Sequence, residues 1–245
     1  MPMDFLSIRN KNANSADIYF YGDIVSDSWG KWTDEDKCPQ DIIEMLKGCE
    51  DVSELNIYIN SGGGNVWAGI AIHNILKRHK AKKIVHIDGL AASIASVIAL
   101  AGDEIIMPAN SFMMIHKAMC SAYGNADEMR EVADLLETIE QSIVNVYMQN
   151  ALEGTEEAHI KELMSAETWL DAKAAAELFK NITVTESIEV AACLSKCRYT
   201  KMPKGILLKN SAKDSNESNK ITEEAKKALE NFKNFLFLEE EKDNE

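Results

Sequence analysis

Five short runs rich in β-branched and aromatic residues punctuate the first half of the chain: IYFYGDI (18–24), LNIYIN (55–60), KKIVHID (82–88), EIIMP (104–108) and SFMMIH (111–116). Helical patterns alternate with them. Between LNIYIN and KKIVHID, the segment VWAGIAIHNILKRHK places Val66, Ile70, Ile72, Ile75 and Leu76 at the spacing of an amphipathic helix. Strands joined by crossover helices cannot pair as tight hairpins, so the pattern predicts a largely parallel, buried sheet and an α/β fold. The longest helix is expected over 126–150, where Met129, Val132, Leu136, Ile139, Ile143 and Val146 recur every three or four residues. That helix either docks on its own core or projects as an arm for subunit contacts.

Length and charge narrow the function classes. A chain of 245 residues accommodates one domain of about 150 to 200 residues with an appendage, or two small domains. With 26 basic against 40 acidic residues, the net charge of -14 argues against nucleic-acid binding and against an anionic membrane surface, since both need a cationic face. Five cysteines (Cys38, Cys49, Cys120, Cys193 and Cys197) are odd in number and lack paired CxxC spacing, which favours free thiols in a reducing compartment over a zinc site. Only Cys193 and Cys197 have a spacing that would share a helix face. The opening MPMDFLSIRNKNANS has no apolar core of the signal-peptide kind, and the apolar stretch 89–102 is shorter than the roughly 20 residues needed to span a bilayer. A soluble, cytoplasmic protein is expected.

Chemistry concentrates in HIDGLAASIASVIALAGDE, residues 86 to 104, where two serines sit in a run of small apolar residues. A serine hydroxyl attacks a carbonyl only if a base takes its proton and donors stabilise the oxyanion. Ser93 stands where a strand ending at Gly89 gives way to the helical run SIASVIALAG, so its hydroxyl is expected at a helix N-terminus, with the N–H of Ile94 beside it. The competing role is that of a helix cap. Ser96, one turn further in, is expected to be packed. The GxSxG elbow of many hydrolases is absent, because Gly89 stands four residues before Ser93. In INSGGGNVWAGIAI, three glycines (Gly62, Gly63 and Gly64) lie between a strand and a helix and would present backbone N–H groups to an anion. A nucleotide loop fits poorly: GK[ST] is missing, and Trp67 occupies the third glycine position of GxGxxG. An oxyanion hole built from Gly64 and Ile94 is the simpler use of the turn.

In order, INSGGGNVWAGIAI, DGLAASIASVIALAGDE and MPANSFMMIHKA closely resemble the glycine turn, the GxAAS nucleophile turn and the MIH histidine of the caseinolytic (ClpP-type) serine proteases, over roughly residues 15 to 180. Within that family, AASIASVIALAGDEIIMP and AETWLDAKAAAELF look more like the ClpP-related head maturation proteases of tailed phages and prophages. The resemblance implies a ClpP/crotonase-like spiral of ββα units with a long projecting helix. It implies Ser93 as nucleophile, His116 as general base and Glu167 as the carboxylate, where the family normally has aspartate. Asp171 is the alternative carboxylate, although its place before AKAAAELF suits a helix cap. The other histidines match nothing in the family pattern.

The activity so implied is peptide-bond cleavage without metal, nucleotide or organic cofactor. Expected partners are further copies of the chain in a ring, protein or peptide substrates including capsid or scaffold proteins, and, in the housekeeping alternative, a Clp-type ATPase. Two other classes stay open. The crotonase use of the fold needs no serine nucleophile, and an inactive homologue could serve assembly alone. The protease domain is expected over 1–182, a C-terminal extension over 183–208, a polar linker (KNSAKDSNESNK) over 209–220, and a short amphipathic helix with an acidic tail over 221–245.

Overall fold

The computed structural model describes residues 14–187. The linker, the tail helix, Cys193 and Cys197 therefore lie outside the described residues. Within them the chain is a mixed α/β fold. Strands β1 (Ser15–Phe20), β2 (Glu54–Ser61), β3 (Lys82–Ala92), β4 (Glu104–Pro108) and β7 (Ile182–Thr185) pair side by side, all parallel. Two further strands branch from this sheet. β5 (Phe112–Ile115) runs parallel to the last three residues of β3, and β6 (Thr168–Asp171) runs antiparallel to β5.

The fork is what builds the site. β3 pairs with β4 through Ile84–His86, then leaves it and pairs with β5 through Leu90–Ala92. The small residues of DGLAA let the strand continue to Ala92, past the end at Gly89 expected from sequence. The first strand is also displaced from its expected span. It starts at Ser15 and stops at Phe20 because Gly22 marks a crossing, where a Cβ would lie 2.5 Å from the Glu35 carbonyl carbon.

Helices α1 (Pro39–Lys47), α2 (Val66–Arg78) and α3 (Ile94–Ala99) supply Ile42, Leu46, Ile72, Leu76, Val97 and Ile98 to one core with Ile18, Ile57, Ile59, Val85 and Ile87 of the sheet. Removing each such side chain from water is worth about 1.5–3 kcal/mol. The alternating residues of three strands, Tyr19, Tyr58 and His86, stack in a row, with ring centroids 4.7 and 4.6 Å apart. Helix α4 (Ala126–Asn150) matches its expected span. A capping box starts it: the Asn125 side chain accepts from the Asp127 and Glu128 N–H groups, and the Glu128 carboxylate accepts from the Asn125 N–H. Its second half buries Ile139, Ile143, Val144 and Tyr147, whereas most of its first half is exposed, so the helix both docks and projects. Helices α5 (Glu157–Ser165) and α6 (Ala172–Leu178) then lead into β6 and β7. Because β7 pairs with β4, the folded core runs at least to Thr185.

Candidate active site

Ser93 follows β3 and precedes α3, with φ 56° and ψ -128°, a backbone region that residues with a Cβ rarely occupy. Neighbours on both sides hold it there. Its N–H donates to the Met114 carbonyl of β5 at 2.8 Å, and its carbonyl accepts from the Ser96 N–H at 3.0 Å and the Ser96 Oγ at 2.6 Å. Although Ser93 occupies the cap position of α3, its side chain makes no capping bond. The hydroxyl instead lies 2.7 Å from His116 Nε2.

His116 directly follows β5, so the pairing of β3 with β5 that binds the Ser93 N–H also sets the histidine beside the hydroxyl. Burial pushes the imidazole below its ordinary pKa of 6.5, and the Glu167 carboxylate nearby partly restores it. The ring is thus held neutral near pH 7, the form that can accept a proton.

Glu167 approaches through strand register. β5 and β6 pair Ile115 with Thr168, so the next step outward sets His116 opposite Glu167. Glu167 also has a left-handed backbone, φ 51°. Asp171 is placed elsewhere. It lies opposite Phe112, four residues or about 13 Å of strand from His116, and its carboxylate caps α6 by accepting the Ala174 N–H at 2.8 Å. The structure therefore brings Ser93, His116 and Glu167 together and leaves Asp171 as a helix cap.

The glycine turn faces the same point. Ile24 bridges Gly64 by donating to the Gly63 carbonyl at 2.9 Å and accepting from the Asn65 N–H at 2.7 Å. In such a bridge the N–H of the middle residue, Gly64, points away from Ile24. Gly63 closes the approach to the serine, since a Cβ there would lie 2.8 Å from Ser93 Cβ and 3.2 Å from the Ile94 nitrogen. Ile94 begins α3, so its N–H has no intrahelical acceptor. Two residues that the sequence reading did not single out brace this turn. Ser61 Oγ donates to the Gly22 carbonyl at 2.7 Å and accepts the Gly63 N–H at 3.1 Å, and Asn65 caps α2 through the Ala68 N–H at 2.9 Å. The asparagine just before a helical run is a readable cap signal, whereas the Gly22 partner of Ser61 lies 39 residues away, too far along the chain to be read from sequence.

His73 is buried, with Nδ1 2.8 Å from the Val97 carbonyl, which makes it a satisfied core histidine. Among the described residues no group of three or more His, Cys, Asp or Glu could hold a metal ion, and no helix is long and apolar enough to cross a membrane.

Comparison with known proteins places this geometry in context. The Clp protease family matches residues 33–179, a segment that contains Gly64, Ser93, His116 and Glu167. Among similar curated proteins is an ATP-dependent Clp protease proteolytic subunit of Deinococcus radiodurans, 33% identical over 106 residues, which cover 42% of this chain and 52% of that one. Proteins of the same description from Bacteroides fragilis and Ligilactobacillus salivarius are 29% identical over 134 residues (54% of this chain, 64% of that one) and 36% identical over 93 residues (37% and 47%). The chain thus spans about half to under two-thirds of the length of these relatives. Since the family match takes in more than half of the chain and every group gathered around Ser93, the chain belongs to the Clp protease family.

Proposed function

We propose that the protein is a serine endopeptidase with Ser93 as nucleophile, His116 as general base and Glu167 as the carboxylate that orients the imidazole. The observation that carries the reading is the 2.7 Å contact between a serine hydroxyl that forgoes helix capping and a histidine kept neutral by burial. The Glu167 charge favours the tautomer with its proton on Nδ1, leaving Nε2 free to accept. His116 takes the Ser93 proton as Oγ bonds to the peptide carbonyl carbon, and the carbonyl oxygen becomes an oxyanion held by the Gly64 and Ile94 N–H groups. The imidazolium returns the proton to the leaving amine, and water, deprotonated by the same ring, releases the acyl group. The chemistry needs no cofactor.

For the biological setting we propose capsid maturation in a phage or prophage, with capsid or scaffold proteins as substrates, on the resemblance of 91–108 and 166–179. The chain then works as a homo-oligomeric ring in the host cytoplasm, with the exposed half of α4 available for subunit contacts. One observation favours a second setting. The similar proteins carry the description of ATP-dependent proteolytic subunits, which supports partnership with a Clp-type ATPase.

A fluorophosphonate probe tests the chemistry directly, because only an activated serine is modified. The parent chain is expected to be labelled at Ser93 and to cleave an unfolded protein, while Ser93→Ala does neither and keeps its oligomer in light scattering. Equal labelling of parent and Ser93→Ala would overturn the assignment. Adding a Clp ATPase separates the two settings: capsid maturation predicts cleavage without it.

A further inference from the structure

The hydrogen bonds around Ser96 extend the site to a residue 51 positions away. Ser96 Oγ lies 2.6 Å from the Ser93 carbonyl and 2.8 Å from Tyr147 Oη, the hydroxyl of a tyrosine in the buried half of α4. Both side chains are buried, Ser96 at 0% and Tyr147 at 1% exposure, so water does not compete for these bonds. Directionality follows from proton count. A serine has one hydroxyl proton, and a carbonyl can only accept, so the Ser96 proton goes to the Ser93 oxygen. Tyr147 must then donate to Ser96 Oγ. The relay runs Tyr147 O–H to Ser96 Oγ, and Ser96 O–H to the Ser93 carbonyl, each bond polarising the next.

What this relay holds is a peptide unit. None of the described peptide bonds is cis, and in a planar trans peptide the C=O of Ser93 and the N–H of Ile94 point in opposite directions. Fixing the Ser93 oxygen inward therefore aims the Ile94 N–H outward, toward the turn at Gly63 and Gly64. Within the turn the Ser96 N–H already holds the Ser93 oxygen at 3.0 Å, and the relay adds a second hold on it, anchored outside the turn by Tyr147.

We propose that Tyr147 is a positioning residue that acts through Ser96 to aim the Ile94 N–H at the developing oxyanion, and so ties the efficiency of the site to the seating of α4. The proposal rests on the serine-peptidase reading above. Its effect falls on the rate of the chemical step. Deleting an oxyanion donor costs on the order of 10²–10³-fold, and letting one lose its aim costs less, roughly tenfold. Substrate binding and the ionisation of His116 are untouched.

The test uses the full chain and the saturable rate of fluorophosphonate labelling. In that reaction Ser93 Oγ bonds to phosphorus, fluoride leaves, and the serine proton passes to His116. Parent, Tyr147→Phe, Ser96→Ala and the double variant are compared, with Phe179→Leu as a control. Phe179 packs beside Tyr147, at a ring separation of 5.7 Å, and is as deeply buried. Expected are a fall of about five- to twentyfold in the maximal labelling rate for each single variant, no further fall in the double, and an unchanged half-saturating concentration. The pH midpoint of labelling also stays at the parent value. Phe179→Leu lowers Tm at least as much as Tyr147→Phe and labels at the parent rate. The proposal is overturned if Tyr147→Phe labels like the parent, if the two single losses multiply, or if Phe179→Leu slows labelling equally, since each outcome makes Tyr147 packing alone. Failure of the underlying reading looks different: the parent itself is then not labelled at Ser93.

Discussion

Gly63→Ala and Gly154→Ala impose the same backbone strain in very different surroundings. Both glycines have left-handed backbones, φ 86° and 90°. An alanine there costs about 1–2 kcal/mol from contact of its Cβ with its own backbone. At Gly154 that is the whole penalty, because nothing lies within 4 Å of the added carbon. For a domain of this size it lowers Tm by roughly 2–8 °C. At Gly63 the added carbon also lies 2.6 Å from the Ala92 oxygen and 2.8 Å from Ser93 Cβ, so backbone must shift by several tenths of an ångström. Overpacking of this kind adds about 1–3 kcal/mol, which roughly doubles the loss in Tm. The atoms that yield belong to the nucleophile turn. A misplacement of about 1 Å in a reacting group is worth about 10²-fold, so labelling should fall at least tenfold in Gly63→Ala and stay at the parent rate in Gly154→Ala. Thermal melts and fluorophosphonate labelling on the two variants decide it. Equal melts with parent-rate labelling in both would refute the claim that the glycine turn fixes Ser93.

Labelling should rise with pH through a midpoint below 6.5 to a plateau, because the neutral imidazole of His116 is the reactive form and burial lowers its pKa from the ordinary value. A midpoint above 6.5 would contradict that burial. His73, also depressed by burial, takes up its proton in the unfolded chain first, so its contribution to stability is complete above pH 6.5 and declines as pH falls through 6.5 toward the folded value; urea melts at a series of pH values check the sign, and a His73→Gln variant should show the smaller slope. Glu167→Gln should slow labelling on the order of 10²-fold with little change in Tm, whereas Asp171→Ala should cost about 1 kcal/mol of stability as a lost cap and label normally. The reverse pattern in those two variants would transfer the orienting role to Asp171.

Much of the sheet can be read from sequence because its strands are apolar, rich in β-branched residues and mostly separated by helical patterns. LNIYIN and EIIMP fall on β2 and β4 with at most one residue of difference at each end. What escaped is short or depends on distant partners. β6 and β7 have four residues each, and TWLD and ITVT lack the continuous apolar run that marks β5, FMMI, at the same length. β6 exists because β5 offers it an edge. α1 carries readable signals: Pro39 and Asp41 in its first turn, and Ile42, Met45 and Leu46 on one face. The fork in β3 had no local signature, because glycine within a strand ordinarily reads as its end.

The site has the opposite character, since its residues break local rules. Three described non-glycine residues have positive φ, and two of them, Ser93 and Glu167, face the same histidine. Propensity favours neither conformation, and each costs about 1–3 kcal/mol that surrounding structure must offset. For Ser93 the offset is visible as bonds: Met114 on its N–H, and Ser96 twice on its carbonyl. These partners come from β5 and α3, so the strained turn is stable only once β3 has forked and β5 has paired. Formation of the nucleophile turn is thereby made conditional on the same strand pairing that delivers His116. A chain in which β5 has not docked lacks the histidine beside Ser93 and the Met114 bond on its N–H, and only the two local bonds from Ser96 remain to hold the strained turn.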